Sequence, residues 1–256
     1  MRRVILYRVH SFDSLGSTND EAMARLKAGE PGGFIVTARS QTGGRGRHGR
    51  AWASPPGNLY ASLALGDPAP IGLAPQLGFV AGVALATALS ARLGGDVRLR
   101  IKWPNDMVFA GAKLAGILLE SAMLSGGRLG CVVGFGVNCV SHPEGLAYRA
   151  TDLAEAGDPA PDASALLSEL ALEMARQLET WRQGNGFSAI RERWLARAGG
   201  LGERIVVSAP RGAPLEGVFR GLDPAGRLLL QTATGDVAID AGDVFLPGHA
   251  TGAMEA

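Results

Sequence analysis

Cysteine is nearly missing from this 256-residue chain, which has only Cys131 and Cys139. That is too few for a disulfide scaffold and suits a reducing cytoplasm. Four scattered histidines leave no Cys/His metal cluster at ligand spacing. Net charge is also close to zero, with 25 Lys and Arg against 24 Asp and Glu. A general nucleic-acid binder steered by a basic field is therefore disfavoured. The phosphate loop GxxxxGK[ST] does not occur, so a P-loop ATPase is not supported. Met1 to His10 has neither the apolar run nor the small-residue cleavage site of a signal peptide.

The uncharged stretch 68–91 is long enough to raise the question of a spanning helix. Pro70 and Pro75 break its start, Gln76 interrupts it, and Ala and Gly dominate it. A helix from Pro75 to Ala91 is at the bottom of the spanning range. Gly78 and Gly82 are read as letting another backbone approach inside a soluble core. The expectation is a soluble, cytoplasmic protein that contacts no membrane.

Hydrophobic residues at 46% and charged residues at 19% describe a folded chain with material for one or two domains. Residues 4–11 read as a strand, and Thr18 with Glu21 as a capping box opening a helix to about Ala28. Phe34 to Ala38 reads as a strand, 39–56 as loop, and Leu59 to Leu65 as a strand leading to the uncharged helix. Val97 to Ile101 reads as a strand, and 113–124 and 128–140 as two long strands around Ser125-Gly126-Gly127. Helical spacing returns in Ala163 to Trp181 and Phe187 to Ala198. The fold class is α+β, a mixed β-sheet with flanking helices. Gly199-Gly200 marks a boundary, beyond which short runs at 204–208, 215–222, 227–231, 236–239 and 244–246 predict a small β-barrel. The expected division is residues 1–198, residues 199–248 and a tail, 249–256. Residues 199–256 carry four Arg and seven acids, so the basic chemistry belongs to the first unit.

That chemistry concentrates in residues 39–50, which hold four arginines, four glycines and no acid. Glycines expose successive N–H groups to an anion, and interleaved arginines supply bidentate phosphate contacts. With like charges and no apolar anchor, the segment is expected not to pack by itself but to order over an anionic ligand. Its plain alternative is a flexible basic loop making RGG-like RNA contacts. A second segment, Lys102-Trp103-Pro104-Asn105-Asp106, gathers a lysine, an amide and a carboxylate on a bend at a strand end. Trp103 reads best as core filler. Lys113 is either a strand-edge residue or a buried anion partner. Gly134-Phe135-Gly136-Val137-Asn138 reads as a glycine-marked sheet end with a bulge. Cys131 and Cys139 read as small core residues.

Taken in order, Ser17-Thr18-Asn19, Gln41 to Arg50, Trp52, Lys102 to Asp106, Lys113 to Glu120 and Gly134 to Asn138 resemble the biotin protein ligase family over about residues 8–153. The resemblance implies a catalytic domain related to class II aminoacyl-tRNA synthetases, with an SH3-like β-barrel after it. It implies that ATP and biotin form biotinyl-5'-adenylate, and that biotin then passes to a lysine of a biotin carboxyl carrier domain of acetyl-CoA carboxylase or a related carboxylase. Implied biotin contacts are Ser17, Thr18, Asn19, Gln41, Gly44, Arg45, Arg47, Lys113 and Gly116. Implied nucleotide or adenylate contacts are Arg45, Arg47, His48, Arg50, Trp52, Asn105, Lys113 and Asn138. Lys113, Arg47, Asp106 and Lys102 are the implied catalytic set, with Asp106 or Lys102 as base for the transfer. Mg2+ is expected on the ATP phosphates near Asp106 or Asn105.

His48 stands where many relatives carry arginine, and the adenine-stacking residue within Tyr148-Arg149-Ala150-Thr151-Asp152 is not identified. Only a few residues precede the resemblance, so no DNA-binding repressor role is expected; a homodimer is allowed for. A lipoate–protein ligase shares the implied fold and adenylation logic and is the nearest rival.

Overall fold

The computed structural model describes residues 7–208 and 213–246. The expected tail and the first part of the 4–11 strand lie outside the described residues. Five α-helices and twelve strands are present among those described. In chain order they are β1 (Arg8–Leu15), α1 (Thr18–Lys27), β2 (Phe34–Gln41), β3 (Leu59–Gly66), α2 (Gln76–Arg92), β4 (Leu99–Lys102), β5 (Asp106–Phe109), β6 (Ala112–Met123) and β7 (Leu129–Val137). There follow α3 (Leu153–Ala156), α4 (Ala163–Trp181), α5 (Phe187–Leu195), β8 (Arg204–Ser208), β9 (Leu215–Leu222), β10 (Leu228–Thr232), β11 (Gly235–Ile239) and β12 (Asp243–Phe245).

Seven strands form one sheet in the order β1-β2-β3-β7-β6-β5-β4. Only β1 and β2 run parallel, joined by the α1 crossover, so the sheet is mixed as expected. α2 and α4 cover one face. α2 is apolar nearly all round because it is packed among the sheet, α4 and α5, which is the buried-helix case. No helix of the described residues is long and apolar enough to cross a membrane. On the opposite face α1 seals only part of the sheet, over Phe34, Val36, Ala64 and Val132. The uncovered remainder of that face is where the loop after β2 lies.

The last five strands form an antiparallel sheet in the order β11-β10-β9-β8-β12. Its inner residues Ile205, Phe219, Leu228 and Leu230 join the core that runs under α2 and α5, so one apolar interior is continuous through the chain. Backbone bonds of Ile101 with Arg197 and Gly199 tie the connection to β4.

Several local expectations change. Ser17, not Thr18, caps α1, accepting the Asp20 N–H at 3.4 Å, because the Thr18 hydroxyl is drawn to Gln41. Gly82 makes room for the Trp194 indole rather than for a backbone. Gly134-Phe135-Gly136 closes β7 as expected but without a bulge, keeping unbroken register to β3 and β6. There Gly134 is needed for close approach, since a Cβ would stand 2.2 Å from Asn19 Oδ1. Gly134→Ala should lower unfolding free energy by about 1–3 kcal/mol in urea titrations, the usual range for overpacking. Both cysteines are fully buried, and burial pushes their thiols up to about 11, as core residues.

Candidate active site

Register brings the site together. Lys102 pairs with Asp106, Asp106 with Gly116, Gly116 with Gly136, and Gly136 with Tyr60, one row across five strands. Paired residues share a face, so two bare glycines lie between a charged pair and the buried Tyr60. The Trp52 indole lies over the bare stretch: a Cβ would meet its ring at 2.6 Å from Gly136 and 3.3 Å from Gly116. These two glycines form the floor of a slot for a ring. Around it opens a cleft of about 890 Å³, within the size range of small-molecule sites.

At one end of the row, Lys113 Nζ is 2.8 Å from Asp106 Oδ1 and lies between the rings of Trp52 and Tyr148, at 5.4 and 5.5 Å. Lys113 is thus an anion partner rather than a free strand-edge lysine. Its backbone is fixed by bonds to Arg149 and Thr151, so the Tyr148 segment forms one wall. Lys102 is half-buried beside it. Burial pushes its ammonium below the ordinary lysine range, with Asp106 opposing that and Lys113 adding to it. Between that lowered pKa and about 10.4 the unfolded chain holds a proton that the fold gives up, so this group favours folding more as pH rises. Any stability that Lys102→Met gains over the native chain should therefore shrink between pH 7 and pH 10 in paired urea titrations.

At the other end, Gln41 Oε1 accepts from the Thr18 N–H and hydroxyl at 2.8 and 3.1 Å, and its Nε2 donates to Ser54 Oγ at 3.0 Å. Fully buried Ser62 donates its one hydroxyl hydrogen to Asn19 Oδ1 at 2.6 Å, and its Oγ lies 2.8 Å from Thr18 Oγ1. Every polar group here is oriented by another, which suits recognition of a small polar head. Ser62 and Ser54 were not among the expected residues; a lone serine inside apolar β3 was the only sequence signal for Ser62.

The glycine–arginine loop is held down by acids it does not itself contain. Arg45 is bidentate on Asp20, at 2.7 and 2.6 Å, and also reaches Glu120 at 2.9 Å. These bonds, Asp20 first, raise its affinity for its proton above that of ordinary arginine. Arg47 donates to the Gly242 carbonyl at 3.1 Å and Asn105 Oδ1 at 3.4 Å, and Arg50 donates to Asp243 at 3.1 Å. The expectation that the segment cannot pack by itself is corrected accordingly: α1, β6 and the edge of β12 supply the missing charge.

Ser17, Thr18, Asn19, Gln41, Arg45, Arg47, Arg50, Trp52, Lys102, Asn105, Asp106, Lys113 and Gly116 all line the cleft. Three expected residues are not among its lining. Gly44 packs under Ser54 and Trp52, His48 is exposed at the loop tip with φ 56°, and buried Asn138 donates to the Thr151 carbonyl. Trp103 is core, as its plain reading held, although it borders the cleft. The donors do not fit a resident magnesium ion, since Asp106 is engaged by Lys113 and the Asn105 oxygen by Arg47.

Comparisons with known proteins agree along the chain. Residues 12–138 match the Biotin/lipoate A/B protein ligase family, and residues 200–246 the Biotin protein ligase C terminal domain. The chain is 41% identical over 241 residues to the biotin–[acetyl-CoA-carboxylase] ligase of Paracoccus denitrificans, covering 91% of this chain and 98% of that protein. It is 35% identical over 234 residues to the Mycobacterium tuberculosis protein of the same name, covering 90% and 85%. The structure of biotin protein ligase from Aquifex aeolicus in complex with biotin and ATP superposes with a TM-score of 0.79 at 28% identity, covering 94% and 98%.

Proposed function

The chain belongs to the biotin protein ligase family, and from that premise we propose how its cleft joins biotin to a carrier lysine at the expense of ATP. The enzyme activates biotin as biotinyl-5'-adenylate, releasing pyrophosphate, and transfers the acyl group to the biotin carrier of acetyl-CoA carboxylase. One observation carries the reading: a polar head-group end and a cationic end face one cleft, separated by a ring-sized slot of two glycines.

The first step brings two anions together, so fixed positive charge must stand where they meet. Lys113 serves that role, held by Asp106 and two aromatic rings. Arg47 and Arg50 face the phosphates, exchanging Asp243 and the Gly242 carbonyl for phosphate oxygens. Thr18, Gln41 and Ser17 read the ureido head. Magnesium enters with the nucleotide as part of the substrate. The loop and Trp52 keep water from the acyl-adenylate, a hydrolysable mixed anhydride. In the second step the incoming amine must lose a proton, and the candidate bases beside the reacting centre are Asp106 and Lys102, both of which line the cleft.

The test is pyrophosphate release from ATP with biotin or with lipoate added separately. Release with biotin alone is expected; release only with lipoate would overturn the assignment.

A further inference from the structure

The loop's root and its tip are held in different ways. At the root the Arg45 guanidinium makes four bonds to two carboxylates, Asp20 and Glu120. One cation against two anions leaves that station net negative, and a phosphate would be repelled there. At the tip, Arg47 and Arg50 share one carboxylate, Asp243, and carry net positive charge. Root and tip therefore do different work.

We propose that Glu120, seconded by Asp20, is a positioning residue that clamps Arg45 and so holds the root of the 45–52 loop on the sheet, leaving Arg47 and Arg50 to meet the phosphates. This rests on the ligase reading for its ligand, and it moves Arg45 from ligand contact to anchor. The backbone transmits the clamp. Arg45 bridges to Ala51, Gly46 N–H donates to Arg50 O at 2.7 Å, and Trp52 N–H donates to Gly44 O at 2.9 Å. Fixing Arg45 thus fixes the residue before Trp52 and lays the indole on its glycine floor. Glu120 is itself oriented from the interior: Asn19 Nδ2 donates to it at 2.7 Å, and buried Ser62 orients Asn19 at 2.6 Å. Glu120 lies on β6 together with Lys113 and Gly116. A single strand therefore carries the Lys113 ammonium, the Gly116 part of the slot floor and the loop anchor.

Limited trypsin digestion of the ligand-free full chain tests the clamp, with cleavage after Arg45, Arg47 and Arg50 read by mass spectrometry. Proteolysis follows the population of the opened segment. Glu120→Gln and, separately, Asp20→Asn should each raise nicking at these sites about tenfold, the effect of losing a charge-assisted bond. Asp20 is exposed, so its variant decides the matter if Glu120→Gln loosens the whole fold. With Arg45→Met as background, Glu120→Gln should add nothing at Arg47 and Arg50. Unchanged nicking in both single variants, or a full further increase in the double variant, would overturn the clamp. Free biotinyl-adenylate released during turnover should rise in step with nicking. Nicking that rises alone supports the clamp and counts against the lid role of the loop.

Discussion

Lys113→Ala is expected to slow biotinyl-adenylate formation by about 10²- to 10³-fold, the usual loss when one preorganised donor is removed from a developing negative charge. The fold should survive, because what ties Lys113 to the structure is mostly main chain. Its N–H donates to Arg149 O at 2.8 Å, its carbonyl accepts from Thr151 N at 3.0 Å, and alanine keeps both. The backbone register of Asp106 with Lys102 across β4 and β5 is likewise untouched. Pyrophosphate release at saturating biotin and ATP, together with an unchanged melting temperature, is the measurement. Lys113→Arg separates charge from position: a longer planar cation cannot sit at the same point between Trp52 and Tyr148, so it should recover only part of the rate. Adenylate formation by Lys113→Ala at nearly the native rate would remove the ammonium from the mechanism.

Arg47→Gly should show the complementary defect, formation without retention. Arg47 sits at the loop tip and reaches the Gly242 carbonyl and Asn105. Glycine there removes the charge proposed to face the adenylate phosphate and one of the links between the loop and the C-terminal sheet, while Arg50–Asp243 and the Arg45 root are untouched. Free biotinyl-adenylate in solution is expected to rise at least about tenfold, the equivalent of one such contact. Biotin should then appear on lysines of a bystander protein added to the reaction. Two readings are needed, adenylate recovered after rapid filtration and biotin on the bystander by mass spectrometry. Unchanged selectivity would show that the tip does not guard the intermediate. The two variants fall on opposite sides of the same step, so a general loss of folding cannot mimic the pair.

Much of the fold was legible because its signals are local. α4 and the strands β8 and β9 begin and end where hydrophobic period and turn residues place them. β5 was not legible: four residues after a bend have too short a period to register, and their strand character comes from pairing with β4 and β6. The same limit misplaced the α1 cap, since Thr18 could serve as cap or as ligand contact until Gln41, on another strand, claimed its hydroxyl. The glycines of β7 could be seen but not explained. Only the arrival of Asn19 and Trp52 above them shows why side chains are excluded there.

Residue chemistry along the chain was sufficient to establish which groups this protein brings to bear: a cationic loop without acids, a lysine-bearing bend, a lone ammonium on an apolar strand and a mixed α+β frame. Those are properties of type and spacing, and they persist whatever the chain does at long range. The counter-charges depended on the fold. Asp20, Glu120 and Asp243 lie 25, 75 and 193 residues from the arginines they hold, and nothing in their own neighbourhoods marks them as partners. Coulomb attraction acts through space and decays with distance, so only the folded sheet decides which acid meets which arginine.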